Sequence, residues 1–96
     1  MDASDIAQAL ERFLRESFGI AEDDPGFSCS VDLFESGYVD SVGVIETLAY
    51  ISTTYGIEIP DDALLSDAFT TIDGIARIVA ELISQAIEAR PMVSAA

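Results

Sequence analysis

The sequence predicts an all-α fold, a small antiparallel four-helix bundle with three long helices, one short helix and a long loop between helices 1 and 2. Three observations predict it. Apolar residues recur at helical spacing in three separate stretches, and capping residues or glycines mark the ends of those stretches. The chain has 96 residues, 50% of them apolar, which suits one modest core and leaves no room for a second.

The elements follow in order. Ile6, Leu10, Phe13, Leu14 and Phe18 share a face, with Glu11, Arg12, Arg15 and Glu16 between them. This spacing predicts a first helix from about Ser4 to Ser17, capped by Ser4 or Asp2 and ended by Gly19. Val42, Ile45, Leu48, Ala49, Ser52 and Tyr55 predict a second helix from Ser41 to Tyr55, stopped by Gly56, with Asp40 as its N-cap. Between Ile57 and Leu65, Pro60 opens a short helical turn at Asp61. Ile72, Ile75, Ile78, Val79, Leu82, Ile83, Ala86 and Ile87 predict a last helix that fades before Pro91. Thr70 and Asp73 stand at capping-box spacing at its start, with aspartate in the usual glutamate position.

The loop from Gly19 to Val39 is long for a compact domain, and Phe27, Val31, Leu33, Phe34 and Val39 are its apolar anchors. Residues Phe27 to Leu33 also alternate like a strand, but a lone strand has nothing to pair with. Residues 1–90 form one domain in this reading, and 91–96 a patternless, disordered tail.

Charge narrows the function. Eighteen acids against four arginines give a net charge of −14, and a mean hydropathy of +0.36 with periodic apolar residues argues for a folded chain over a disordered one. A polyanion is repelled by phosphate backbones and anionic membranes and is steered toward basic protein surfaces. The expectation is no nucleic acid, no membrane and a monomer. The acidic start, Met1 to Asp5, is unlike a signal peptide, and no apolar run is long enough to span a bilayer. Cys29 has no second cysteine to pair with and no histidine with which to build a zinc site, which points to a reducing, cytoplasmic setting.

Catalytic groups are scarce. The chain has no histidine, no lysine and no glycine-rich phosphate loop. Asp23-Asp24-Pro25-Gly26 does not continue into the ligands of a calcium loop, so no metal site is expected. Ser41, after Asp40 at a helix start, has no base to deprotonate it. The sequence therefore predicts no enzyme; if Ser41 carries chemistry, another enzyme must act on it. Taken alone, Asp40-Ser41 reads as an ordinary helix cap.

The wider order is more specific. A long helix and an acidic loop are followed by Leu33-Phe34-Glu35-Ser36-Gly37 and Asp40-Ser41. Next come an apolar helix, Tyr55-Gly56-Ile57-Glu58-Ile59-Pro60, a short helix, Phe69-Thr70-Thr71-Ile72 and a final helix. Over residues 4 to 88 this order resembles the acyl carrier protein family.

The resemblance implies that Ser41 carries 4′-phosphopantetheine, transferred from coenzyme A by a phosphopantetheinyl transferase with magnesium, and that Asp40 assists the transfer besides capping the helix. It implies acyl or aminoacyl cargo held as a thioester, a loading ligase, and a downstream synthase or transferase with a basic docking patch. Glu46 matches an acidic docking position, which Glu58, Asp61 and Asp62 would extend. A phosphodiester at a helix start also meets free N–H donors and the positive end of the helix dipole, although Asp40 sets a negative charge beside it. Cys29, a rival carrying thiol, has no basic neighbour in the sequence and reads as a loop-packing residue.

The chain departs from the fatty-acid type, which usually has leucine and then an acid after the serine; here Val42 and Gly43 follow, and Glu46 is the one acid between Ser41 and Tyr55. Gly43 looks more like D-alanyl carriers and stand-alone carriers of specialised pathways. It either lets a partner approach closely or is neutral variation. The reading leans to a specialised pathway, with two alternatives: a fatty-acid-synthesis carrier, and an acidic helical interaction module without a prosthetic group. Val44, Leu48, Ile59, Leu64 and Leu65 read as core or as a cargo cleft, and Ser36 and Tyr38 as contacts to the arm.

The charge excess has a measurable consequence. Moving from about 0.01 M to about 0.15 M salt shortens the Debye length from about 30 Å to about 8 Å, so self-repulsion weakens and the melting temperature should rise. Thermal melts that stay flat across that series would contradict this.

Overall fold

The structure is a computed structural model that describes residues 2–89; the predicted tail, 91–96, lies outside the described residues. The described residues form four α-helices and one 3₁₀ turn: α1 (Ala3–Phe18), α2 (Ser41–Tyr55), α3 (Asp61–Leu64), the 3₁₀ turn (Asp67–Thr70) and α4 (Ile72–Ala89). Among the described residues there is no strand, and Phe27 to Leu33 forms turns.

Asp2 caps α1, its carboxylate accepting from the Asp5 N–H at 3.0 Å, and Ser4 lies within the helix. Gly19 ends α1 at φ 63°, ψ 34°, a left-handed conformation that costs glycine nothing. At α4 the predicted cap moves by one residue. Thr71, not Thr70, accepts from the Gly74 N–H at 3.0 Å, while the Thr70 hydroxyl donates to the Asp67 carbonyl at 2.7 Å. The 3₁₀ turn, unmarked in the sequence, takes up Thr70 and delays the helix. That turn lies directly on α4: a Cβ at Gly74 would stand 1.7 Å from the Ala68 carbonyl oxygen, so only glycine permits the approach.

α1 and α4 form the central pair. Ile6, Leu10 and Leu14 of α1 meet Ile72, Ile75 and Val79 of α4 in a core joined by Ile51 of α2 and Phe69 of the 3₁₀ turn. Phe27, Leu33 and Val39 bring the long loop into the same core. Each such side chain contributes about 1.5–3 kcal/mol when fully buried, enough to hold an irregular segment in place. Backbone bonds fix its register, from the Leu33 N–H to the Thr70 carbonyl (2.8 Å) and from the Asp73 N–H to the Cys29 carbonyl (2.9 Å).

α2 has the predicted ends but not the predicted inner face. Val42 (62% exposed), Ile45 (66%), Ala49 and Ser52 face solvent, whereas Gly43, Thr47 and Ile51 are buried. With a single charged residue, α2 has no polar stripe to identify its outer side, and local fit decides instead. Gly43 admits the Phe18 ring and Val39. Tyr50 stacks on Phe13 with centroids 4.2 Å apart, and the buried Thr47 hydroxyl donates to the Gly43 carbonyl at 2.7 Å. Val44, Leu48, Ile59 and Leu64 pack partly buried against the core, and Leu65 stands exposed.

Gly43 is therefore an internal contact and not a surface for a partner. A Cβ there would lie 2.9 Å from Val39 Cγ1 and 3.0 Å from Phe18 Cζ. Alanine gains up to about 1 kcal/mol in helix propensity, but overpacking costs about 1–3 kcal/mol. Gly43→Ala should lose about 1 kcal/mol net, a fall in Tm of roughly 4–8 °C in a thermal melt. A rise in Tm would show that the site opens without strain.

Tyr55, half-buried at the end of α2, has its phenol pushed up to about 12, by burial first and then by the neighbouring Tyr50. The fold favours the neutral phenol. Its contribution to stability is complete below the ordinary value of 10.0 and is lost as pH rises toward 12. Denaturant midpoints should fall across that window together with late phenolate absorbance, and Tyr55→Phe should remove part of the fall.

Candidate functional site

The start of α2 is built from the loop side. Val39 is buried and its N–H bonds the Leu33 carbonyl at 3.0 Å, so the chain reaches Asp40 from a fixed point. Asp40 is extended, at φ −105° and ψ −172°, as an N-cap requires. Its Oδ1 accepts from the Gly43 N–H at 2.8 Å and its carbonyl accepts from the Val44 N–H at 3.0 Å. The N–H groups of Ser41 and Val42 have no acceptor among the described residues.

Ser41 is the first residue of α2 and is exposed. Those two N–H groups and the positive end of the helix are a donor set that suits an anion. No lysine or arginine occurs from residue 16 to residue 76. Histidine and lysine are absent from the chain, and among the described residues the Ser41 hydroxyl makes no hydrogen bond to a carboxylate.

The other predicted residues are dispersed. At about 100° per residue, Ile45 lies about 40° and Ala49 about 80° around α2 from Ser41, and Glu46 about 140°. Ser41, Ile45, Ala49 and Val42 thus occupy one exposed arc with Glu46 at its far edge. Glu46 also borders a shallow groove shared with Phe13, Tyr50 and Thr53. Glu58 is exposed in the connection after α2, and Asp61 and Asp62 are exposed in the first turn of α3. No side-chain hydrogen bond or ion pair links these three to Asp40, Ser41 or Glu46 among the described residues.

Sequence reasoning missed the exposed Val42 and Ile45. The sequence shows only that α2, with one charged residue, lacks a polar stripe to mark its outer side; which apolar side chains face outward is set by the packing at Gly43. Ser36 and Tyr38, read as contacts to the arm, are engaged within the loop: Ser36 Oγ donates to the Asp32 carbonyl, and Tyr38 Oη to Asp24 Oδ1 at 2.9 Å.

Cys29 is half-buried, and its thiol approaches Glu11 Oε1 at 3.7 Å. Burial first, then Glu11 and Asp73, push that thiol up, while Arg15 pulls it down more weakly. It is held protonated and is a poor nucleophile. No group of three or more histidine, cysteine, aspartate or glutamate side chains among the described residues could hold a metal ion. No helix among them is long and apolar enough to cross a membrane.

No curated protein sequence matches the chain. A family model does, described as the phosphopantetheine attachment site, over residues 4–79. Members of that family bind 4′-phosphopantetheine covalently and work with phosphopantetheinyl transferases and synthases. The matched span runs from the first turn of α1 across the Asp40 cap and Ser41 to Val79 in α4, and on that match the chain belongs to the acyl carrier protein family.

Proposed function

We propose that Ser41 is the attachment residue for 4′-phosphopantetheine and that the chain carries acyl or aminoacyl cargo in a specialised biosynthetic pathway. The observation that carries this reading is the exposed Ser41 hydroxyl at a capped helix start, beside two unsatisfied N–H donors, within the span matched by the family model. In the transfer, Ser41 Oγ bonds the phosphorus that bears the pantetheine of coenzyme A and the pyrophosphate P–O bond breaks. Adenosine 3′,5′-bisphosphate leaves, and the serine proton passes to a base of the transferase. When bound, the group supplies a terminal thiol that holds cargo as a thioester.

The chain's own residues present and orient. Asp40 fixes the first turn of α2 through its cap, and in this reading its charge also assists the transferase and its magnesium. Val42 and Ile45 place apolar surface beside Ser41, while Glu46, Glu58, Asp61 and Asp62 steer basic patches of partner enzymes. Those partners are the transferase, a loading ligase and a downstream synthase or transferase. The chain acts as a monomeric, cytoplasmic domain over residues 1–90, with no catalysis of its own.

The specialised pathway is favoured by the single acid and exposed apolar arc of α2, which replace the glutamate-rich face of the fatty-acid type. The buried Gly43 no longer speaks to partner choice. Incubation with coenzyme A, magnesium and a promiscuous transferase should raise the intact mass by one phosphopantetheinyl group, and Ser41→Ala should abolish the gain. An unchanged mass would favour an acidic interaction module without a prosthetic group; a gain that survives Ser41→Ala would move the attachment elsewhere.

A further inference from the structure

Two residues before the cap of α2, Tyr38 is tied across the loop. Its Oη donates to Asp24 Oδ1 at 2.9 Å, and the same oxygen accepts from the Gly26 N–H at 2.8 Å. Gly26 does not have a positive φ, so backbone freedom does not explain it. Space does: a Cβ at residue 26 would stand 2.7 Å from Tyr38 Oη and 3.4 Å from Asp24 Oδ1. The glycine keeps room for the phenol to reach the carboxylate.

The latch has a foundation on α1. The Tyr38 ring meets the buried Phe27 edge to face with centroids 5.0 Å apart, and the Arg15 guanidinium lies over the Phe27 ring, 4.8 Å from its centroid. Arg15 is itself fixed by Glu11, at 3.0 Å from Nε to Oε2, and by the Ala21 carbonyl. A continuous set of contacts thus runs from α1 through Arg15 and Phe27 to Tyr38, the residue before Val39. On the other side of Tyr38 lies Gly37 at φ 82°, the most permissive point of the segment. Partial burial, then the Asp24 acceptor, push the phenol above its ordinary range, so its proton stays in place through neutral pH.

We propose that the Tyr38–Asp24 hydrogen bond, admitted by Gly26, is a positioning latch that holds residues 37–40 and so orients Ser41 for the enzyme that modifies it. The inference rests on Ser41 being the modified residue. Tyr38 touches no reacting atom; it acts through Val39 and the Asp40 cap. Without the latch, the segment after Gly37 samples more conformations, and the modifying enzyme must order it on binding. The effect therefore falls on KM for the carrier and not on kcat.

The test is steady-state transfer of phosphopantetheine to the full chain by a promiscuous transferase, with the carrier concentration varied. Tyr38→Phe, Asp24→Ala and Gly26→Ala should each raise KM roughly three- to tenfold, the range of one net hydrogen bond, with kcat within about twofold of the parent. Asp24→Asn keeps an oxygen acceptor for both donors and should restore the parent KM. In Tyr38→Phe the Val39 amide should exchange faster with solvent, while the Ile75 amide in α4 keeps its protection. Unchanged KM and Val39 exchange in Tyr38→Phe would overturn the proposal. So would Asp24→Asn behaving like Asp24→Ala, or equal loss of protection at Ile75, which would mean a global loss of stability. If the parent protein itself accepts no phosphopantetheine, the carrier reading fails and the positioning role fails with it, an outcome distinct from an active parent matched by active variants.

Discussion

The two backbone hydrogen bonds that join the long loop to the start of α4 determine where everything else lies. Leu33 donates to the Thr70 carbonyl and Asp73 donates to the Cys29 carbonyl, within the stretch from Ala68 to Gly74 where the 3₁₀ turn touches the helix. These bonds lie beside core residues such as Leu33, Phe69 and Ile72, where an unpaired backbone group would be expensive. They turn a 21-residue connection, from Gly19 to Val39, into a structural element with a fixed far end. From that end Val39 bonds back to Leu33, Asp40 caps, and α2 begins.

Much of this was legible in the sequence because it rests on local chemistry. The ends of α1 and α2 followed from Asp2, Gly19, Asp40 and Gly56, residues whose side chains or backbone freedom act within one turn. The apolar anchors of the loop were legible as well, since Phe27, Leu33 and Val39 are all buried. What could not be read depends on contacts distant in sequence. The cap of α4 moved from Thr70 to Thr71 because a 3₁₀ turn consumes Thr70, and nothing in Asp67-Ala68-Phe69-Thr70 announces that turn. The inner face of α2 was read from its largest apolar residues, but it was chosen by its smallest one: Gly43 admits Phe18 and Val39, which rotates Val42 and Ile45 outward.

That rotation links packing to function. Had the face been as the apolar spacing suggests, Ser41 would sit beside buried side chains, and few groups beyond it would meet a partner. Instead the serine shares an exposed arc with Val42, Ile45 and Ala49. Glu46 is the one charged residue on α2 itself, while Arg12 of α1 comes near its far side in a groove shared with Tyr50. In the proposed function, acids such as Glu46, Glu58, Asp61 and Asp62 would steer at long range, and the exposed apolar side chains would make the short-range contact. The first sets encounter rate and depends on salt; the second sets residence and does not.

Asp40 brings the two halves of the site together. A carboxylate next to a phosphorylated serine is unfavourable on charge alone, yet the cap needs an oxygen acceptor and the fold supplies the reason to keep it. Only Oδ1 is used in the cap, on the Gly43 N–H, and Oδ2 makes no hydrogen bond among the described residues. One oxygen therefore fixes the helix start that exposes Ser41, while the other remains available to a cation brought by a partner. In the proposed function the repulsion toward phosphate is offset by that cation during transfer, and afterwards by the free N–H groups of Ser41 and Val42. Asparagine would preserve the cap and lose the charge, so the two roles of Asp40 separate at a single atom: Asp40→Asn should leave the fold intact and slow the modification alone.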